Sequence, residues 1–144
     1  MSTIYISDII KESYYQDEEH SVRLFRGDCL QLLPQFPPNS IDMIFADPPY
    51  FLSNGGITCK SGIMASVDKA DWDKSSGIKK SHEFNLKWLA QCQRILDKNG
   101  TIWVSGTFHI IYSIGYAMQE LDFKILNDIA WKPSVSLWVY NPLF

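Results

Sequence analysis

The chain has 144 residues, a formal net charge of −3, 46% hydrophobic residues and 20% charged residues. These values indicate one globular domain with one hydrophobic core, and they exclude a disordered or fibrous chain. The acidic balance argues against a strong nonspecific nucleic-acid binder, although a local basic patch can sit on an acidic body.

Cysteine and histidine usage predicts no metal site and no disulfide framework. The three cysteines, Cys29, Cys59 and Cys92, lack CxxC spacing, and the three histidines share no metal-ligand spacing. The first residues lack the basic start and the apolar core of a signal peptide, and no apolar run is long enough to span a membrane. We therefore expect a cytoplasmic protein with no metal and no membrane partner.

The first half of the chain begins with a segment at 1–19 that shows no clean periodicity and is predicted to be peripheral. A short strand is expected at 22–25 and a short helix at 29–36, before two prolines. The nearly continuous apolar run at 41–46 predicts a strand buried on both faces. A long polar loop is expected over 51–80, and loops of that length are usually functional or disordered.

In the second half, Ser81 is expected to cap a helix whose apolar residues recur at helical spacing, and a turn at 99–100 is expected to end that helix. A strand at 101–104, an amphipathic helix over 110–121 and a third buried strand at 123–131 are predicted next. Strands that alternate with helices predict an α/β fold in which helices flank a parallel sheet.

The segment Asp47-Pro48-Pro49-Tyr50 directly follows the strand at 41–46, and ligands of open α/β sheets bind beyond the carboxyl ends of strands. A nucleobase amine is a poor nucleophile because its lone pair is delocalised into the ring. The Asp47 carboxylate and the Pro48 carbonyl can accept its two N–H hydrogens, and the prolines hold these acceptors in place. Tyr50 offers an aromatic face to a base swung out of a duplex. The alternative is a plain strand-to-loop turn.

The stretch 24–56, which reads LFRGDCLQLLPQFPPNSIDMIFADPPYFLSNGG, resembles the beta-class amino-group DNA methyltransferases. It is most similar to the adenine N6 enzymes of DpnII-type restriction-modification systems. The resemblance continues to about residue 132 through NGTIWVSG at 99–106 and NDIAW at 127–131. It implies a Rossmann-like methyltransferase fold, S-adenosylmethionine as the cofactor, and double- or single-stranded DNA as the partner.

The resemblance also implies roles for the residues on the target-base side. Asp47, Pro48 and Tyr50 would be catalytic and hold the base, while Pro49, Tyr50 and Phe51 would bind the substrate. An aspartate before the two prolines, rather than a serine, implies adenine as the target. An N4-cytosine DNA methyltransferase is an alternative.

On the cofactor side, the resemblance implies that Asp28 lies near the adenine of S-adenosylmethionine, with Cys29 beside it, and that Asp47 also contacts the cofactor. Enzymes of this family carry a Phe-x-Gly-x-Gly loop in a later block, and none of the eight glycines here has GxG spacing. We therefore expect a truncated or frameshifted product, with a catalytic half at 20–132 and a divergent tail at 133–144. An inactive remnant, or a fragment that binds nucleic acid or cofactor, is the alternative function.

Three further expectations concern the sheet edges, the residues after the strand at 101–104, and His82. A partial Rossmann-like sheet without its C-terminal half would expose strand edges and apolar surface, which favours self-association into a homo-oligomer. Ser105-Gly106-Thr107 follow a predicted strand, and they either line the cleft or only form a turn. His82, near a predicted helix start, is expected to cap or lie at the surface rather than to catalyse.

Overall fold

The computed structural model describes residues 13–17, 19–52, 57–60, 63–66, 71–74 and 76–131. Its central feature is a pair of parallel strands, β3 (Ile41–Ala46) and β6 (Leu96–Val104). Within this part of the chain, no helix combines the length and the apolar character needed to cross a membrane.

Two antiparallel hairpins accompany the parallel pair. Strand β1 (Tyr15–Asp17) pairs with β2 (Val22–Leu24), and β4 (Ile57–Lys60) pairs with β5 (Ile63–Ser66). The strand predicted at 22–25 is thus present, but it pairs within a hairpin and not with β3. The segment predicted as one loop contains a hairpin of its own.

Three α-helices lie between and after the strands: α1 (Cys29–Leu32), α2 (Ile78–Ile95) and α3 (Ile111–Glu120). Short 3-10 turns at Leu33–Gln35 and Asp71–Asp73 complete the described elements. The α/β class with a parallel pair of strands and packed helices agrees with the prediction.

The hydrophobic core lies between α2, α3 and one face of the β3–β6 pair. Side chains that point to this inner face of the strands pack against the core, and they are Ile44, Ala46, Ile102 and Val104. The buried cluster itself comprises Trp88, Leu89, Cys92, Ile110, Ile114 and Ala117. Alternation along each strand therefore decides which side chains enter the core.

The opposite face of the β3–β6 pair is open to solvent. Met43 is 62% exposed, Phe45 is 70% exposed and Trp103 is 45% exposed. The prediction that 41–46 is buried on both faces is therefore wrong, because α2 and α3 both pack on the inner face. Exposed apolar surface was expected from an incomplete sheet; self-association through it stays a prediction.

Helix α2 begins earlier than the sequence predicts. Its N-terminal residue is Ile78, and Gly77 precedes it with φ of 94°, a conformation that suits glycine. Ser81 is therefore inside the helix, where its N–H donates to the Gly77 carbonyl at 3.1 Å. Its predicted role as the cap is wrong.

Helix α2 also ends earlier than expected. It stops at Ile95, and the chain enters β6 at Leu96 without an intervening loop. The turn predicted at 99–100 lies inside β6, where the pairing with β3 shifts register and the Asn99 N–H donates to Asp97 Oδ1 at 3.1 Å. The residues expected to end the helix thus form a bulge in the strand.

The strand predicted at 123–131 is absent from the described residues. Phe123 packs against the core, but most side chains from Lys124 to Trp131 are exposed. A strand requires a neighbouring strand for its N–H and C=O groups, and among the described residues the sheet of β3 contains only β3 and β6. The apolar residues at 123–131 therefore form no backbone hydrogen-bond ladder with β3 or β6.

Candidate active site

The candidate site lies at the carboxyl edge of the β3–β6 pair. Ala46 is aligned with Val104 in the parallel register, so residues 47 and 105 leave the sheet side by side. The Ser105 N–H donates to the Ala46 carbonyl at 2.9 Å and extends the ladder by one bond. This edge is where open α/β sheets place their ligands, as the sequence predicted.

The Asp47 carboxylate is held by two hydroxyl groups. Its Oδ1 accepts a hydrogen bond from Ser105 Oγ at 2.5 Å and another from the Tyr50 hydroxyl at 2.7 Å. The hydrogen bond to the Asp47 carboxylate raises the pKa of Tyr50, and the protonated hydroxyl is the donor in this bond. Asp47 itself is exposed, while Pro48 and Pro49 behind it are half-buried.

Tyr50 and Phe51 line a cleft of about 200 Å³ beside this carboxylate. The cleft combines aromatic and aliphatic walls with several hydroxyl, amide and imidazole groups, a combination that suits a flat ring with a polar edge. Its lining residues are Tyr50, Phe51, Leu52, Ile78, Ser81, Asn85, His109, Ile110 and Ser113. Of the residues predicted on the target-base side, Tyr50 and Phe51 line the cleft, whereas Asp47, Pro48 and Pro49 are not among its lining residues.

Phe51 is fixed by a contact that the sequence did not predict. Its φ of 54° is in the left-handed region, which is unfavourable for a bulky side chain. Its N–H donates to Asp73 Oδ1 at 2.8 Å, and its ring meets Phe84 edge-on with 5.9 Å between centroids. Asp73 is 2% exposed although it is an aspartate in a polar stretch, so no feature of the sequence marks it.

A chain of hydrogen-bonded polar side chains connects α2 and α3 and begins at two residues that line the cleft, Asn85 and Ser113. The fully buried Asn85 donates to Ser113 Oγ at 3.3 Å, and Ser113 Oγ lies 3.2 Å from His82 Nδ1. His82 Nε2 then reaches Glu120 Oε2 at 2.7 Å. His82 is therefore not a helix cap; it bridges two helices and stacks on Tyr116.

Asp28 and Cys29 lie at the start of α1 and are both exposed. Asp28 Oδ1 accepts a hydrogen bond from the Leu30 N–H at 2.9 Å and so caps the helix. Neither residue lines the cleft, and no hydrogen bond between the described residues joins them to Asp47. Their predicted contact with a cofactor stays a prediction.

Ser105 is the site residue that the sequence brought closest to recognition. The sequence left two alternatives for it, lining the cleft or only forming a turn; it is not among the residues that line the cleft, and its side chain donates a hydrogen bond to Asp47. Both residues directly follow strands, and neighbouring parallel strands end at the same edge. The contact between Ser105 and Asp47 could not be predicted because the sequence does not show that β3 pairs with β6.

Comparison with known proteins assigns the family. The sequence profile of a family described as DNA methylase, of the N6/N4 type, matches residues 41–142. The chain is 48% identical over 124 residues to type II methyltransferase M2.DpnII of Streptococcus pneumoniae. It is 50% identical over 118 residues to type II methyltransferase M2.LlaDCHI of Lactococcus lactis subsp. cremoris. The chain therefore belongs to the DNA methylase family, as the resemblance implied.

The matched region covers most of this chain and less than half of its relatives. The two alignments include 86% and 82% of this chain, but 46% and 44% of the respective relatives. A third relative, type II methyltransferase M2.MboI of Moraxella bovis, is 46% identical over 83% of this chain and 44% of its own length. The family match runs to residue 142 and so enters the segment 133–144, which lies outside the described residues. Its assignment as a divergent tail stays a prediction.

Proposed function

We propose that the chain is the catalytic half of a DNA methyltransferase that transfers a methyl group from S-adenosylmethionine to the N6 amine of adenine. The observation that carries this proposal is the anchored, exposed Asp47 carboxylate beside the aromatic cleft. Membership of the DNA methylase family supports the reaction class, and the similar proteins are named type II methyltransferases.

In the proposed reaction, the chain supplies acceptors for the target amine. One N–H of the amine donates to the Asp47 carboxylate and the other to the Pro48 carbonyl, which turns the nitrogen lone pair out of conjugation with the ring. The ring itself stacks against Tyr50, which is worth about 1–3 kcal/mol per base. On transfer, the nitrogen gains a bond to the methyl carbon as the carbon–sulfur bond of the donor breaks and its electron pair stays on sulfur. The nitrogen also loses one proton, and we propose the Asp47 carboxylate as its acceptor.

The residues at the start of α1 fit the proposed cofactor. S-adenosylmethionine, when bound, supplies an electrophilic methyl group on a positively charged sulfur. Asp28 is exposed, and its capping bond uses Oδ1, so the carboxylate can also accept hydrogen bonds from hydroxyl or amine groups of a ligand. We propose that Asp28 and Cys29 hold the nucleoside part of the donor. The negative charge of the Asp47 carboxylate would attract the positively charged sulfur of the donor.

Adenine is proposed over cytosine because an aspartate precedes the two prolines, and the N4 amine of cytosine is the alternative target. The proposed partner is DNA, in double- or single-stranded form, and the proposed location is the cytoplasm. The Asp47 side chain is exposed and lies beside the cleft. A base extruded from a duplex, or present in a single strand, can therefore reach its carboxylate.

The test incubates the full chain and its Asp47→Asn variant with duplex and single-stranded DNA and labelled S-adenosylmethionine. Asp42→Asn is the matched control, because Asp42 is also exposed and lies on β3, five positions before Asp47. We expect label in N6-methyladenine with the parent and the control, and none with Asp47→Asn. Label in N4-methylcytosine would instead support the alternative target, and no label with either DNA would refute activity of this chain alone.

A second candidate function is a fragment that binds ligand without turnover. The observation in its favour is that the chain spans between 44% and 46% of the length of the relatives M2.MboI, M2.DpnII and M2.LlaDCHI. Calorimetry with S-adenosylmethionine separates the two functions. Binding together with methyl transfer supports the enzyme, whereas binding without transfer supports the fragment.

A further inference from the structure

We infer that Ser105 is a positioning residue, whose hydroxyl fixes the Asp47 carboxylate in the orientation that the methylation needs. This inference rests on the proposed function, because it assigns a role within that same site. Its starting observation is the hydrogen bond of 2.5 Å from Ser105 Oγ to Asp47 Oδ1. A hydroxyl that donates to a carboxylate makes a charge-assisted bond, roughly twice as strong as a neutral one.

The anchor is itself held by the sheet. The Ser105 N–H donates to the Ala46 carbonyl at 2.9 Å, directly after the aligned pair Ala46 and Val104. The backbone of Ser105 therefore cannot shift relative to β3 without breaking the ladder. Its hydroxyl also lies 3.4 Å from the same Ala46 carbonyl, but the charged acceptor is closer and stronger. The Asp47 side chain is thus held in a fixed position relative to both β3 and β6.

Tyr50 is a less permanent anchor for the same oxygen. Its hydroxyl donates to Asp47 Oδ1 at 2.7 Å, but its ring forms part of the cleft wall. A base that enters the cleft contacts this ring and can displace the hydroxyl, whereas Ser105 does not line the cleft. Ser105 therefore keeps the carboxylate in place while Tyr50 adjusts to the base.

Orientation matters here because Asp47 is exposed. An exposed aspartate without an anchor samples several rotamers, and only some of them aim the carboxylate at a base beside Tyr50. Misplacement of a catalytic group by about 1 Å can reduce a rate about 100-fold. Removal of the Ser105 hydroxyl should thus reduce turnover without preventing the base from stacking in the cleft.

The test compares Ser105→Ala, Ser105→Thr and the matched control Ser40→Ala in the full chain. Ser40 also donates its hydroxyl, to the Pro37 carbonyl at 2.7 Å, but it lies outside the site. Three-bond NMR couplings from the Asp47 Cγ to the backbone nitrogen and carbonyl carbon report the rotamer without any turnover. Methyl transfer to DNA then gives kcat and KM for each chain.

The couplings are measured with Tyr50→Phe added to every chain, because the Tyr50 hydroxyl would otherwise still hold Asp47 Oδ1. In that background we expect a single Asp47 rotamer with Ser105, with Ser105→Thr and with Ser40→Ala, and averaged couplings with Ser105→Ala. The kcat of Ser105→Ala should fall at least about tenfold with KM for DNA within about twofold. Ser105→Thr should recover kcat to within about threefold, because it restores the hydroxyl. An unchanged rotamer or an unchanged kcat in Ser105→Ala would overturn the inference. If the parent itself transfers no methyl group, the proposed function fails for this chain, and the couplings alone decide whether Ser105 fixes Asp47.

Discussion

The Phe51 N–H donates to Asp73 Oδ1 at 2.8 Å, which ties the residue after Tyr50 to a turn 22 positions further along the chain. This bond holds Phe51 at a φ of 54°, a conformation that costs a non-glycine residue about 1–3 kcal/mol. The backbone that carries the candidate catalytic segment is thus fixed from both ends, by β3 before it and by a buried carboxylate after it.

Replacement of Asp73 by alanine should destabilise the fold. The part-buried Phe51 N–H would lose its acceptor, and a fully buried donor left unsatisfied costs about 1–3 kcal/mol. We expect the free energy of unfolding, measured by urea denaturation, to fall by an amount in that range. Asp73→Asn should lose less, since its amide oxygen can still accept the bond.

Asp71→Ala is the control for this change. Asp71 lies in the same 3-10 turn and forms an ion pair with Lys74 at 2.6 Å, but its side chain is 93% exposed. An ion pair so open to solvent contributes little to stability, so this variant should unfold almost like the parent. Equal losses in Asp71→Ala and Asp73→Ala would contradict the anchoring role of the buried carboxylate.

Gly100 and Gly115 should respond in opposite directions to alanine substitution. A Cβ on Gly100 would lie 3.0 Å from the carbonyl oxygens of Asp97 and Ile41, both of them backbone atoms that cannot move aside cheaply. A Cβ on Gly115 meets nothing within 4 Å, and Gly115 lies in the interior of α3.

We therefore expect Gly100→Ala to lower the free energy of unfolding by about 1–3 kcal/mol, as overpacking usually does. Gly115→Ala should raise it by about 0.5–1 kcal/mol through better helix propensity. Thermal and urea unfolding of both variants measure the two effects. If Gly100→Ala stabilised the fold instead, the bulge would have room for a Cβ, and the predicted clash with the two carbonyl oxygens would be wrong.

Part of this architecture could be predicted from local sequence alone. The bounds of β3 at Ile41–Ala46 matched the apolar run, and helix α3 followed its amphipathic periodicity. The segment Asp47-Pro48-Pro49-Tyr50 was singled out by its residue types and by its position directly after that strand. These features depend on residues that are close together in sequence, where periodicity and turn chemistry act directly.

The remaining features depend on pairing between distant segments. Exposure of Met43 and Phe45 follows from which face α2 and α3 cover, and alternation along a strand does not reveal that. The bulge at Asn99 looks like a helix end because the same residue types serve both structures. The anchors of the site, Ser105 and Asp73, are each brought in from another part of the chain.

The buried thiol of Cys92 should make the fold less stable at alkaline pH. Burial raises the pKa of Cys92 to about 12 from an ordinary value of 9.0. The folded state therefore keeps this proton above pH 9, while the unfolded state releases it. Stability from the protonated thiol is fully present below pH 9 and is lost as pH rises towards 12, by up to about 1.4 kcal/mol per pH unit.

Urea unfolding of the parent and Cys92→Ala between pH 8 and pH 10.5 measures this effect. The difference in the free energy of unfolding between the two chains should be constant near pH 8 and should shift against the parent above about pH 9. Cys29→Ala is the comparison variant: burial also raises the pKa of Cys29, and Cys29 adds to the raised pKa of Cys92, so this variant should lose a smaller part of the parent's pH dependence than Cys92→Ala. Parallel curves for the parent and Cys92→Ala would show that Cys92 ionises normally in the folded state.

Two substitutions of Tyr50 should separate its hydroxyl from its ring. Tyr50→Phe removes the bond to Asp47 Oδ1, but it keeps an aromatic wall in the cleft, and Ser105 still holds the carboxylate. We expect DNA affinity within about twofold of the parent and a loss of kcat below about tenfold. Tyr50→Ala removes the stacking surface, which is worth about 1–3 kcal/mol, so DNA affinity should fall roughly 5- to 150-fold.

Fluorescence anisotropy with labelled single-stranded DNA measures the affinity, and methyl transfer measures kcat. Tyr112→Ala is the control, since Tyr112 is an exposed tyrosine on α3 that does not line the cleft. If Tyr50→Phe lost as much DNA affinity as Tyr50→Ala, the hydroxyl rather than the ring would carry the interaction. The hydrogen bond to Asp47 would then have to persist when DNA is bound, and the displacement of Tyr50 by an incoming base would be wrong.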